Sequence, residues 1–230
     1  MFVSIPTHAR PALRWATPAL AALLCAVYLW TSSRPHDVLS RLVADWGALG
    51  GGFTIESLRD SWSDWSRWAR LVSALFLHAD WAHLLGNVVF LLIFGLPAER
   101  VMGPWRLLVL FLAGGAFANL VAVLAIGAPE RMVIGASGAV SAVIGAYLAL
   151  FPRARLGVVL PLGLFLEFVR APASLLIGIW ALLQVVFAYI GPAFGAVAWA
   201  AHVGGFLAGV GFAWISRGAI GRRLRRRQGY

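Results

Sequence analysis

The amino-acid sequence predicts an all-α membrane protein, a bundle of six transmembrane helices. Three observations predict it. Of the 230 residues, 61% are hydrophobic and 12% are charged, against about 25% charged in soluble chains. The apolar residues fall into runs near the ~20 residues that cross a hydrocarbon core. The basic residues are all arginine and gather in alternate links between those runs, as the charge bias of membrane proteins requires.

The first run, Trp15–Thr31, is long and lacks a small-residue cleavage site, so it reads as a span and not as a signal peptide. Residues 1–14 are then a cytoplasmic tail with Arg10 and Arg14. Cys25, the single cysteine, sits inside this run as core or lipid-facing filler. The segment from Ser32 to Asp80 carries Trp46, Trp62, Trp65 and Trp68 and nearly balanced charge. Such a segment suits short helices lying in the membrane interface, with a turn at Gly50-Gly51-Gly52.

The remaining spans are Trp81–Pro97, Trp105–Ile126, Ile134–Phe151, Ala173–Ile190 and Ala196–Ser216. The stretch Leu156–Phe168 is apolar but short and holds Pro161, so it is expected to be a cytoplasmic re-entrant or interfacial segment. A membrane domain of residues 15–216, with its long first loop at 32–80, is followed by a basic tail at 217–230. That tail holds Arg217, Arg222, Arg223, Arg225, Arg226 and Arg227. After an apolar helix, it reads as an anchor beside anionic lipid and not as a nucleic-acid patch.

Arginine placement orients the bundle. The N-terminal tail, Arg100 with Arg106, Arg153 with Arg155 and Arg170, and the C-terminal tail share one side, which is therefore cytoplasmic. Both termini are therefore expected to be cytoplasmic. Spans two, four and six then run from outside to inside. His83 and Asn87 occupy the first two turns of span two, and Ser137 the first turn of span four. His202 lies about six residues into span six, or roughly 9 Å at 1.5 Å per residue. All four groups reach one depth, in the outer third of the membrane.

Polar side chains inside a membrane are costly and mark function, although any one of these could be helix glue. Ser137 sits in Gly135-Ala136-Ser137-Gly138, and Ser137, Ser141 and Gly145 form a small-residue stripe. Gly205 and Gly209 form another after His202. Facing stripes let helices pack closely, which would bring His202 to Ser137. Ser141 is expected to bond its own i−4 carbonyl. A serine next to a histidine base can perform acyl transfer, with His83, Asn87 and the Ser137 amide as donors to the oxyanion. No acid falls inside spans four or six, so the catalytic set reads as a dyad. Asp80 is placed in the interface, and Asn119 and Gln184 as bridges between helices. A transporter would carry more polar groups in the core and an internal repeat, and a non-catalytic helix binder would lack the serine or histidine.

At these residues the chain resembles the rhomboid intramembrane serine proteases. The stretch HADWAHLLGN, with His78, His83 and Asn87, matches the family's HxxxxHxxxN pattern. The nucleophile motif matches at Gly135–Gly138, and the base motif at AHVGGFLAG, from Ala201 to Gly209. The match runs from roughly Phe76 to Gly211. It implies a six-helix rhomboid-like bundle with a water-filled cavity open to the outside. It implies Ser137 as nucleophile, His202 as base, and His83, Asn87 and the Ser137 amide as the oxyanion hole. Gly135 and Gly138 would shape the turn around Ser137, and His78 would tie down the long first loop. Transmembrane protein substrates and the lipid bilayer are the implied partners; no metal or organic cofactor is called for. One departure stands out. Many members place an aromatic residue four positions after the nucleophile, against the catalytic histidine, and here that position is Ser141. The uncharged link Gly191–Gly195, on the outer side, is expected to act as a mobile cap.

Overall fold

The computed structural model describes residues 14–50, 53, 65–126, 131–162, 165–190 and 198–228. All six expected spans contain helices. The first, α1, runs Ala16–Ser32. It has no capping side chain of its own, and its first amides have no partner within the helix. Glu99 supplies what is missing. Its Oε1 accepts from the Ala16 N–H at 2.9 Å and its Oε2 from the Thr17 N–H at 2.8 Å. The carboxylate is fully buried and also opposes the positive end of the helix dipole.

The long first loop folds as short amphipathic pieces, in keeping with its tryptophan-rich, charge-balanced sequence. These are α2 (His36–Trp46), β1 (Ala48–Leu49) and α3 (Trp65–Ser73). Gly51 and Gly52 of the expected glycine turn lie outside the described residues. A single 3-10 turn (Ala74–Phe76) leads to α4 (Trp81–Phe90). A π turn (Leu91–Gly95) joins α4 to α5 (Leu96–Met102). Gly95 packs here against Thr17 of α1, where a Cβ would stand 3.0 Å from the threonine methyl.

Next come α6 (Pro104–Ala125), β2 (Met132–Val133) and α7 (Ser137–Leu150). The last two helices are α8 (Ala173–Ile190) and α9 (Trp199–Gln228). Three stretches are long and apolar enough to cross a membrane: Trp81–Met102, Pro104–Ala125 and Trp199–Arg226. Ala16–Ser32, Ser137–Leu150 and Ala173–Phe187 are shorter apolar helices.

The fold is mostly helical, but not all-α as expected. An antiparallel ribbon pairs Ala48 with Val133 and Leu49 with Met132. The expected re-entrant or interfacial stretch at 156–168 falls within a hairpin of β3 (Arg155–Leu162) and β4 (Phe165–Pro172), in register from Arg155↔Pro172 to Leu162↔Phe165. Pro161 obstructs a helix, and Val158, Val159, Phe165, Phe168 and Val169 favour extended chain. Pairing the two arms satisfies backbone groups that a lone extended segment would leave open.

The core is centred on α7, whose residues from Gly138 to Tyr147 are all buried. A helix apolar on every side belongs in the middle of a bundle. On one side, Gly114 and Gly115 of α6 meet Ala142 and Ala139. On the other, α9 lies parallel to α7: Gly205 abuts the Gly138 carbonyl, and Gly209 abuts that of Ala142. A Cβ at either glycine would collide with that backbone, so the Gly205–Gly209 stripe does face α7, but on Gly138 and Ala142. Of the expected Ser137–Ser141–Gly145 stripe, Gly145 meets α9, at the Phe206 carbonyl.

Candidate functional site

Ser137 opens α7, and no side chain caps that helix. Its N–H is among the first-turn amides left without a helical partner. The turn before it is held on two sides. The Gly135 N–H donates to the Ala74 carbonyl at 2.9 Å, and the Ala136 N–H donates to His78 Nε2 at 3.5 Å. Gly135 has φ 111°, a conformation that favours glycine. A Cβ there would also stand 2.5 Å from both Cε1 and Nε2 of His83. Gly135 is therefore needed twice, for backbone angle and for the approach of the imidazole.

His83 and Asn87 share one face of α4. That helix starts where it does because Asp80 caps it: its Oδ1 accepts from the His83 N–H at 2.8 Å. The interfacial placement expected for Asp80 missed this role, although Asp before an apolar run is an N-cap signal. His78 and His83 meet ring to ring, 5.1 Å apart at 65°. His78 thus ties the end of the first loop to the turn before Ser137. Burial, and next the charge of His83, push the His78 imidazole down to about 4. The ring is neutral at pH 7 and free to accept the Ala136 amide. Asn87 is buried, and its Nδ2 has no hydrogen-bond partner. A buried NH2 without a partner is costly, and it marks a place where an acceptor is wanted.

His202 lies on α9 beside the start of α7. Its neighbour Ala201 comes within 3.7 Å of the position a Cβ would take on Gly138, next to Ser137. Packing thus brings together the chain segments that carry Ser137 and His202, but no hydrogen bond joins the two side chains. Such bonds are commonly loose before substrate binds. The contact His202 does make was foreseen only as a helix bridge. Its Nδ1 lies 2.6 Å from Gln184 Oε1 on α8. An amide oxygen only accepts, so Nδ1 carries the hydrogen and Nε2 keeps its lone pair. The Trp199 ring, one turn earlier, meets His202 edge-on at 5.8 Å.

Ser141 donates to the Ser137 carbonyl at 2.7 Å, the i−4 bond its sequence position predicts. It cannot replace an aromatic brace for His202. Asn119 Nδ2 donates to the Leu71 carbonyl at 2.8 Å and ties α6 to α3. The link expected to form a cap, 191–195, lies outside the described residues.

The Rhomboid domain profile matches residues 65–219. The chain belongs to the rhomboid family. It is 36% identical over 83 residues to RHOMBOID-like protein 5 of Arabidopsis thaliana, covering 36% of this chain and 26% of that protein. To the chloroplastic Rhomboid-like protein 11 of the same plant it is 45% identical over 74 residues, 32% of this chain and 26% of the relative. To the rhomboid YdcA of Bacillus subtilis (strain 168) it is 32% identical over 81 residues, 35% of this chain and 40% of the relative. The matched stretches therefore span well under half of each relative. As a rhomboid with helices long enough to span, the chain is an integral membrane protein.

Proposed function

We propose that this rhomboid is an intramembrane serine endopeptidase that cleaves transmembrane segments of other membrane proteins near the outer face. Ser137 Oγ attacks the scissile carbonyl as its proton passes to His202 Nε2. The tetrahedral oxyanion accepts hydrogen bonds from Asn87, His83 and the Ser137 N–H. His202 then returns the proton to the leaving amine, which leaves an acyl group on Ser137. Water, deprotonated by the same histidine, hydrolyses the acyl-enzyme. The observation that supports this reading is the approach of two sequence-distant segments, those of His83 and His202, to the residues flanking Ser137. Ser137 starts an uncapped helix, His83 closes on Gly135, Asn87 holds an unpartnered buried amide, and the His202 segment packs beside Gly138.

The membrane domain comprises residues 15–216 with six crossings, between a cytoplasmic tail at 1–14 and a basic cytoplasmic tail at 217–230, in a bacterial inner membrane. A fluorophosphonate probe on purified protein tests the chemistry. Labelling of the wild type that vanishes in Ser137→Ala is expected. Equal labelling of both would refute Ser137 as nucleophile.

A further inference from the structure

We infer that Gln184 is the positioning residue of the base, holding His202 in the tautomer and orientation that the reaction needs. The inference rests on the proposed dyad. The 2.6 Å contact between His202 Nδ1 and Gln184 Oε1 is short, and Gln184 is itself buried. The pair borders a cavity of about 250 Å3 whose other lining residues, among them Trp180, Val185 and Phe206, are apolar. Little water competes there, so the hydrogen bond gains strength. With Nδ1–H committed to the amide oxygen, Nε2 is left to take the serine proton. A carboxylate would do this in a triad; here a neutral amide does so without favouring the imidazolium. The titratable group facing His202 from another helix is His83 on α4. On the remaining sides stand Trp199, with Phe187 stacked on it at 4.9 Å. Ser141 spends its hydroxyl on the Ser137 carbonyl, so the brace comes from α8 and not from α7.

Steady-state cleavage of a reconstituted transmembrane-peptide substrate tests this, with thermal unfolding and probe labelling run on every variant. Gln184→Leu should lower kcat by ~10–100-fold with KM nearly unchanged, on the scale of other outer-sphere histidine partners. Gln184→Glu keeps an acceptor at Nδ1–H and favours the imidazolium. It should restore turnover, with the acid limb of kcat/KM moved to higher pH. Full kcat in the folded Leu variant, or a Glu variant as slow as Leu with an unmoved pH profile, would overturn the role. If Gln184→Leu does not fold, the Glu profile alone decides. A wild type that takes no probe would sink the protease reading itself, a different outcome from a labelled enzyme indifferent to residue 184.

An independent observation at the opposite end of the bundle carries a second proposal. A cavity of about 390 Å3 is lined by Arg106, Ala219, Arg222, Arg223 and Arg226. The four α9 residues follow the i, i+3, i+4, i+7 spacing of one helix face. Arg106 projects from the first turn of α6 and donates to the Met102 carbonyl at 3.1 Å. Gly103, at φ 90°, lets Arg223 press on the backbone, and a Cβ there would stand 2.8 Å from its Cζ. Among the described residues no carboxylate lines this space, and the α6 N-terminus adds positive potential. Four guanidinium groups around one hollow concentrate positive charge, and their forked donors suit a phosphate. We propose that the cavity binds a phosphate-bearing anion, either the headgroup of an anionic phospholipid or free phosphate.

Native mass spectrometry from nanodiscs of phosphatidylglycerol and phosphatidylcholine tests the lipid source. The controls separate a site from bulk charge, because Arg222→Gln with Arg226→Gln and Arg217→Gln with Arg225→Gln each remove two charges from the same tail. Retained phosphatidylglycerol that is lost only in the first pair supports a lipid site. A rise in Tm with inorganic phosphate over chloride at equal ionic strength, lost in the same pair, supports a free-phosphate site. Equal effects of both pairs, or no phosphate-dependent signal, would overturn the cavity as a binding site.

Discussion

Asn87 has a buried amide with nothing to donate to, and an enzyme gains from that arrangement only if an acceptor arrives later. In the proposed reaction the acceptor is the oxyanion. Asn87→Ala should therefore lower kcat by about 10²–10³-fold, as for other oxyanion donors, while KM for a helix substrate stays nearly constant. His78 sets a different expectation. Its pKa falls from 6.5 in the unfolded chain to about 4 in the fold, so the unfolded chain binds more protons between those values. The stability contributed by neutral His78 is then full above about pH 6.5 and is lost as pH falls toward 4. Melting curves across this window should show a steeper loss for the wild type than for His78→Phe. Ser137, His202, His83 and Asn87, the proposed site, stand out in the sequence because polar residues in apolar runs are conspicuous. The bond from Gln184 to His202 was not. Sequence places a glutamine in span five, but only the rotation of α8 against α9 decides which group it reaches.

Between helices, the closest approach is that of α7 and α9, where glycines let one backbone rest on another. Gly209→Ala should destabilise the protein by about 1–3 kcal/mol through overpacking, read as a lowered Tm. Gly205→Ala, nearer the site, should also reduce probe labelling of Ser137 by pushing the helices apart. Glu99 makes the other testable contact. Glu99→Leu would strip α1 of its cap and lose two hydrogen bonds to a charged acceptor, each worth about 1.5–3 kcal/mol. Small-residue spacing announced the α7–α9 pairing. Nothing local announced the Glu99 cap, because its partners Ala16 and Thr17 lie more than eighty positions away. The strand pairing at 155–172 went unforeseen for a related reason. Hydropathy reports that a short apolar stretch avoids water, and it does not say whether that stretch pairs with a neighbour.

Across the whole molecule, composition and the order of apolar runs were enough to read a helical membrane bundle, and arginine placement proposed its orientation. That orientation is open to a direct check. In a Cys25→Ser background, a membrane-impermeant maleimide added outside intact cells should label Asp37→Cys and leave Arg225→Cys unlabelled until the membrane is broken. The reverse pattern would invert the bundle. What composition could not supply was the β1–β2 ribbon, since its pairing of Ala48 with Val133 joins segments far apart in sequence.

The parallel seating of α9 beside α7 has a consequence in time. A ribosome completes Ser137 sixty-five residues before His202, and at ~5–20 residues per second that interval lasts on the order of several seconds. Throughout it, the proposed nucleophile exists without its proposed base. A chain ending at residue 198 should accordingly take no fluorophosphonate at Ser137. On the proposed mechanism, the enzyme acquires its base only once α9 has been made.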